Sequence, residues 1–222
     1  VYDFNFAPVF ASFDTLLVGA WLTIQMSTVA MVIGLVLSIL GAVGKTSGPK
    51  PVRIAINVYI EVIRNTPFLV QLYFFFFALP ALGVRLGPNQ AALLALVVNF
   101  GAYGTEIVRA GVASVGRGHI EAAKTVGLNF FQTLRYVILK PAMRAVYPAL
   151  TSQFIYLMLA SSVVSVISAT DLAAAGNDLQ SQTFASFEVY IVITAMYFVM
   201  SLAFSGVFAL IGKLAFSYPL NR

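Results

Sequence analysis

The sequence predicts an all-α integral membrane protein with five transmembrane helices, its N-terminus outside and its C-terminus in the cytoplasm. Three observations carry that prediction. The 222 residues are 60% hydrophobic and 9% charged, with a mean hydropathy of +0.91, whereas a soluble domain carries about 25% charged residues. Five stretches are long enough to cross a bilayer, each crossing needing about 20 apolar residues. Basic residues gather in alternate connections, as the positive-inside rule requires. Five crossings use nearly the whole chain, so residues 1–222 form a single transmembrane domain with no room for a separate soluble catalytic unit. The absence of cysteine excludes disulfides, thiolate catalysis and cysteine-based metal sites. A single histidine speaks against a His-rich metal centre. The net charge of +5 is explained by inside loops and requires no nucleic acid.

At the N-terminus, VYDFNFAPVF has neither a basic n-region nor a small-residue cleavage site. The first hydrophobic segment is therefore expected to stay as a span rather than leave as a signal peptide. Span one runs from about Leu16 to Val43. On it Gly34, Ser38 and Ala42 form a ladder of small residues suited to close helix packing, within the chain or between subunits. It closes in Gly41-Ala42-Val43-Gly44-Lys45-Thr46, which resembles the end of a P-loop. The motif needs a glycine where Ile39 stands and a strand before it, so nothing here is built to hold a nucleotide phosphate.

Span two runs from about Ile54 to Leu79. As one helix those 26 residues would reach about 39 Å, more than the bilayer core of about 30 Å. Glu61 and Arg64 stand three apart at its inner end, where they can pair. Pro67 follows and should bend the helix, so the start of this span reads as an interfacial helix turning into the membrane. Span three covers about Gln90 to Val112. Near its middle Asn99 is costly to bury, and it either bonds a neighbouring helix or touches cargo. Glu106 and Arg109, again three apart, form an interfacial ion pair. Span four, about Val146 to Ser168, carries Ser161, Ser162, Ser165 and Ser168. These serines either bond helix backbones or line a path. Span five runs from about Val189 to Leu214.

Orientation follows from charge. Lys45, Lys50 and Arg53 lie between spans one and two. Arg117, Lys124, Arg135, Lys140 and Arg144 lie between spans three and four, and Lys213 and Arg222 at the end. The other side holds Arg85 with Asp3, Asp14, Asp171, Asp178 and Glu188. The first set is inside.

The inside loop at about 113–147 is the one sizeable water-facing element. Ala123, Val126, Phe130, Leu134 and Val137 or Ile138 recur at helical spacing, with Glu121, Lys124, Thr125, Asn129, Gln132 and Arg135 largely elsewhere on the wheel. Gly127 is a poor helix-interior residue, costing about 1 kcal/mol relative to alanine. Asn129 with Gln132 three residues on has the form of a capping box. The pattern predicts two short helices, Ile120 to Val126 and Asn129 to about Leu139, joined by a turn at Gly127–Leu128. They lie either on the lipid interface or against a soluble partner. Their polar faces are mixed in sign, which is not what anionic lipid prefers.

Glu121-Ala122-Ala123, then Gly127, then Val137-Ile138-Leu139, resembles the EAA loop of bacterial ABC-importer permeases. The flanks extend the likeness. Gly101 to Gly111 (GAYGTEIVRAG) looks like the approach to that loop in the polar amino acid uptake subfamily. Glu61-Val62-Ile63-Arg64-Asn65-Thr66-Pro67 resembles its E-x-x-R-x-T-P signature, and Phe187-Glu188-Val189-Tyr190 its F-E-x-Y. Three places depart from it. Leu139-Lys140-Pro141-Ala142 displaces the usual proline by one, Gly118-His119 replaces Gly-Gln, and Leu159-Ala160-Ser161-Ser162 stands where many relatives have Lys-x-Thr-Ser.

The resemblance implies a type I importer fold in the bacterial inner membrane, with a periplasmic N-terminus and cytoplasmic coupling helices between spans three and four. It implies a permease subunit, not an enzyme, importing polar amino acids or close derivatives such as opines. Its implied partners are a second permease, identical or homologous, two ATPase subunits and a periplasmic binding protein, besides membrane lipid. No cofactor is bound by this chain, ATP and Mg belonging to the ATPase. Glu121 would pair with a basic group on that ATPase, Ala122 and Ala123 would allow close packing, and Gly127 would make the turn. The competing reading is a self-contained secondary carrier, which tends to show internal repeats and intramembrane acids; neither stands out here. A membrane enzyme lacks a constellation around the sole His119.

Overall fold

The computed structural model describes residues 3–216, and among them every regular element is helical. Arg222, counted above with the inside charges, lies outside the described residues. A short helix α1 (Ala7–Ala11) leads into α2 (Phe13–Ser47), the first span. The face of α2 that turns inward is a run of small and hydroxyl residues, among them Gly19, Thr23, Ser27, Gly34, Ser38 and Ala42. That run lets α5 (Pro88–Ala113) approach closely. A Cβ on Gly34 would come within 2.9 Å of the Phe100 ring, and Gly104 faces Ser38 in the same way. The ladder predicted on span one is thus used within the chain. Ser38 Oγ donates to Gly34 O at 2.6 Å and Gly101 O at 3.3 Å, which satisfies the buried hydroxyl.

The second span is not one rod. Helix α3 (Lys50–Arg64) and the segment Phe68–Leu82, which begins with α4 (Phe68–Tyr73), meet at 112°. The bend expected at Pro67 is therefore a sharp elbow, and the single helix of about 39 Å is replaced by two legs. The cause is local. Pro67 has no N–H for the carbonyl of Ile63, and its ring excludes continued α geometry. Beyond α4 the chain widens to a π turn (Phe74–Ala78) upstream of Pro80. A second π turn (Thr133–Ile138) stands upstream of Pro141. In both places a wider turn absorbs a missing donor.

Helix α5 is the axis of the bundle: 61% of its most apolar window is buried, against 11% for the last helix, α10 (Ser186–Ala215). Its C-terminal end leads to α6 (Arg117–Thr125) and α7 (Phe130–Gln132). The second loop helix was expected to stop near Leu139. Instead it passes through the π turn into α8 (Leu139–Ala160), giving one rod, Phe130–Ile167, whose last turns tighten to 3₁₀ geometry at Ser161–Ile167. No glycine or cap interrupts it after Gln132, and the π turn accommodates Pro141. Helix α9 (Leu172–Thr183), capped by Asp171, returns the chain to α10.

Among the described residues four helices are long and apolar enough to cross a bilayer, and the bent pair makes up to five. Two apolar cores result. One joins α2, α5 and the end of α8 around Leu96, Phe100, Leu157 and Val164. The other joins α1, α2, α8, α9 and α10 around Leu16, Met158, Leu172 and Val189.

Candidate functional site

The loop expected to carry the chemistry folds into a compact knob. Helix α6 ends in a Schellman motif: Leu128 N–H donates to Ala123 O and Gly127 N–H to Lys124 O, both at 3.0 Å. Gly127 takes φ +81°, the left-handed conformation that a side chain would resist. Asn129 and Gln132 then form the predicted capping box. The Gln132 N–H donates to Asn129 Oδ1 and the Asn129 N–H to Gln132 Oε1, each at 2.9 Å. Two helix ends are thus closed on either side of one glycine, which makes the corner stiff.

On this knob Glu121 and Ala122 are exposed and Ala123 is buried, since α6 lies back on the Thr133–Ile138 turn. The apolar face read from the periodicity is largely uncovered. Val126 is 75% exposed, Phe130 73% and Phe131 77%, the two rings meeting edge to face at 5.6 Å. Exposed aromatics on a rigid corner mark a surface that something else covers.

Just behind the knob, Glu106 holds two cations. Lys45 Nζ at the end of α2 lies 2.6 Å from Glu106 Oε1, and Arg109 Nη2 2.8 Å from Glu106 Oε2. The Gly44-Lys45-Thr46 sequence is helical, with Lys45 engaged in that pair and Thr46 Oγ1 donating to Ala42 O. Glu61 and Arg64 do not form the expected pair. Asn65 Nδ2 donates to Glu61 at 2.9 Å, while the Arg64 guanidinium stacks 5.5 Å from the Tyr103 ring centre. The helix ends at Arg64, so Asn65 folds back on Glu61, and α5 offers Arg64 an aromatic face.

Asn99 is buried and its Nδ2 donates to Gln71 Oε1 at 3.0 Å. Of the two uses open to Asn99, this bond supports the first, a link to a neighbouring helix. Gln71 carried no periodic signal. What marks it is a lone amide at i+4 from Pro67 in an otherwise apolar run. The serine hydroxyls each donate three residues back along their own chain: Ser161 to Met158 O at 2.7 Å, Ser162 to Leu159 O at 2.8 Å and Ser165 to Ser162 O at 2.9 Å. Ser161 is buried and the other two are half-buried, on the tight turn that touches α4 and α5. Among the described residues no group of three or more His, Asp or Glu side chains is placed to hold a metal ion.

Asp171 is a buried acid that the sequence reading placed with the outside charges. It is 2% exposed, accepts from the Ala174 N–H at 2.7 Å, and takes the Tyr197 hydroxyl at 3.2 Å. Burial pushes its carboxyl up to about 6, against the pull of those hydrogen bonds.

Comparison with known proteins adds to this geometry. Residues 30–215 match the family model described as a binding-protein-dependent transport system inner membrane component. A probable glutamine ABC transporter permease protein of Bacillus subtilis is 34% identical over 215 residues, 96% of this chain and 100% of that protein. A glutamine transport system permease protein of Escherichia coli is 33% identical over 205 residues, 91% of this chain and 94% of its own length. Among solved structures, a chain of an amino acid ABC transporter crystallised with histidines superposes with a TM-score of 0.89 at 36% identity, over 96% of this chain and 99% of that one.

Proposed function

From the premise that this chain belongs to the family of binding-protein-dependent transport system inner membrane components, we propose how its geometry serves import: the α6–α7 knob receives the stroke of a separate ATPase, and the spans behind it open to alternate sides. The chain is the permease subunit of an amino acid ABC importer, a transport component rather than an enzyme. The family implies a partner permease and ATPase subunits.

In this reading residues 1–222 are one permease domain in the bacterial inner membrane, with the N-terminus periplasmic and the C-terminus cytoplasmic. Glu121 meets a basic group of the ATPase, Ala122 and Ala123 keep the contact close, and Gly127 holds the corner. ATP and Mg sit on the ATPase, and this chain binds no cofactor. A periplasmic binding protein delivers the cargo, a polar amino acid of the glutamine class or a close derivative such as an opine. Ser161, Ser162 and Ser165 lie along its path.

The observation that carries the coupling reading is the knob itself. It is capped at both helix ends, turned by a glycine at positive φ, and presents Val126, Phe130 and Phe131 outward. A push is transmitted only by an element that does not bend, and docking needs apolar area left open. The test is to purify the tagged chain from its own membranes in mild detergent, wild type beside Glu121→Arg, and identify what accompanies it. An ATPase and a second permease should accompany the wild type, the ATPase being lost from the variant. A chain that arrives alone in both cases would return the choice to the self-contained carrier.

A further inference from the structure

The elbow of the second span is closed by a side chain rather than by backbone. Because Pro67 has no N–H, Ile63 O would lose its i+4 partner. The Gln71 side-chain amide takes that place at 2.7 Å and also reaches Thr66 O and Thr66 Oγ1 at 3.0 Å each. Carbonyl oxygens only accept, so the Nε2 end of Gln71 must face them and Oε1 must face away. Oε1 meets Asn99, which therefore presents its Nδ2. The polarity of the whole chain of bonds is fixed by Pro67. Both side chains are 6% exposed, so neither is free to exchange its partner for water.

Asn99 is one of three residues by which α5 grips this elbow. The Tyr59 hydroxyl of α3 donates to Val98 O at 2.6 Å, and Arg64, the last residue of α3, stacks on Tyr103. Residues 98, 99 and 103 lie within about two turns of α5, so the elbow rides on one short stretch of the helix that leads to the knob. Of the three contacts, only the amide pair reaches across the break: Asn99 holds Gln71, Gln71 stands on the α4 leg, and its amide grips the carbonyls of the α3 leg and the corner.

We propose that Gln71, oriented by Asn99, is a positioning residue for transport: it locks the α3–α4 elbow to α5, so that a displacement of the knob carries the bent span with it. This rests on the coupling reading above. Without the lock, α5 still moves but the elbow follows it loosely. Alternating access then slips relative to ATP hydrolysis.

The experiment uses the assembled transporter with its ATPase; this sequence has no cysteine, so introduced label sites are unique within it, and the partner subunits are used in cysteine-free form. Spin labels at exposed Val70 on α4 and exposed Val112 near the end of α5 report the far leg of the elbow against α5. A second pair, at Val112 and exposed Leu202 on α10, reports whether α5 moves at all. Distances are read by pulsed electron resonance before and after ATP–vanadate trapping, with labelled chains diluted among unlabelled ones.

In the wild type the Val112–Leu202 distance should shift on trapping while Val70–Val112 stays narrow and unchanged. In Gln71→Leu the first shift should persist while the Val70–Val112 distribution broadens or shifts. Asn99→Asp should act more strongly than Asn99→Ala, because a carboxylate sets oxygen against the fixed Oε1. In proteoliposomes, glutamine uptake per ATP should fall in these variants while the ATPase still co-purifies. A Val70–Val112 distance in Gln71→Leu as narrow and unmoved as in the wild type would overturn the lock. An unmoved Val112–Leu202 pair in the wild type would instead sink the coupling reading, and this inference with it.

Discussion

Lys45 Nζ sits 2.6 Å from one oxygen of Glu106 while Arg109 holds the other at 2.8 Å, so a single carboxylate joins the end of α2 to the approach of the α6–α7 knob. The glutamate side chain is 18% exposed and the two cations 24% and 37%. Both bonds are charge-assisted and only partly screened. This is also where the central α2–α5 packing would fray first, since it lies close to the ends of both helices.

Replacing Glu106 with Gln should therefore leave two half-buried cations without a counter-charge. We expect a loss of about 2 kcal/mol, the scale of a hydrogen bond to a charged group. That corresponds to a fall of roughly 4–8 °C in the unfolding temperature for a chain of this size. Lys45→Met should cost less, because Arg109 still neutralises Glu106. Thermal unfolding in detergent reads both, and equal losses would contradict the bridging role.

Gly127→Val tests the corner. Nothing lies within 4 Å of the position a Cβ would take, so the cost is backbone strain alone, about 1–2 kcal/mol for a side chain in the left-handed region. ATPase affinity should drop about tenfold, since 1.4 kcal/mol is one decade. Gly127→Asn should lose less, because asparagine tolerates this conformation. Binding of the purified ATPase to the reconstituted chain is the measurement, and a full-affinity valine variant would show that the corner need not be rigid.

Phe130→Ser and Phe131→Ser should separate docking from folding. Both rings are more than 70% exposed, and exposed substitutions of this kind usually change stability by no more than about 0.5 kcal/mol. The unfolding temperature should stay put while ATP-driven uptake collapses. A matched loss of stability would instead place the rings in a buried contact.

The buried carboxyl of Asp171 gives a pH signature. Its folded value of about 6 lies above the ordinary 3.8. Between those values the unfolded chain releases a proton that the folded chain keeps, so the folded state binds more protons and stability falls as pH rises. The contribution is greatest below about 4 and is lost by the time pH passes about 6. Asp171→Asn keeps the acceptor that caps α9 and removes the titration, so its unfolding temperature should vary less from pH 4 to 7 than that of the wild type. Parallel profiles for the two proteins would refute the assignment.

Much of this protein is already legible in its sequence. Length and hydropathy determined the number of crossings to within the status of the bent pair. The turn at Gly127 and the capping box at Asn129 and Gln132 could be read because caps are local: their partners lie within five residues, and the chemistry needs no neighbour from elsewhere. The elbow at Pro67 was visible for the same reason, though its angle was not. What only the tertiary structure decided is how groups far apart in the chain find one another. Glu106 could have paired along its own helix alone, yet it also takes Lys45, 61 residues away. Glu61 and Arg64 had the right spacing to pair and turn aside, because Asn65 and the Tyr103 ring offer better partners. The bond between Gln71 and Asn99, 28 residues apart, follows from burial in an apolar bundle, where an unpaired amide costs more than the order needed to bring two together. Helical period says which residues share a face; the packing of other helices decides whether that face is covered, and so Val126 and Phe130, on the apolar face that the period marks, stand open in the fold beside Phe131.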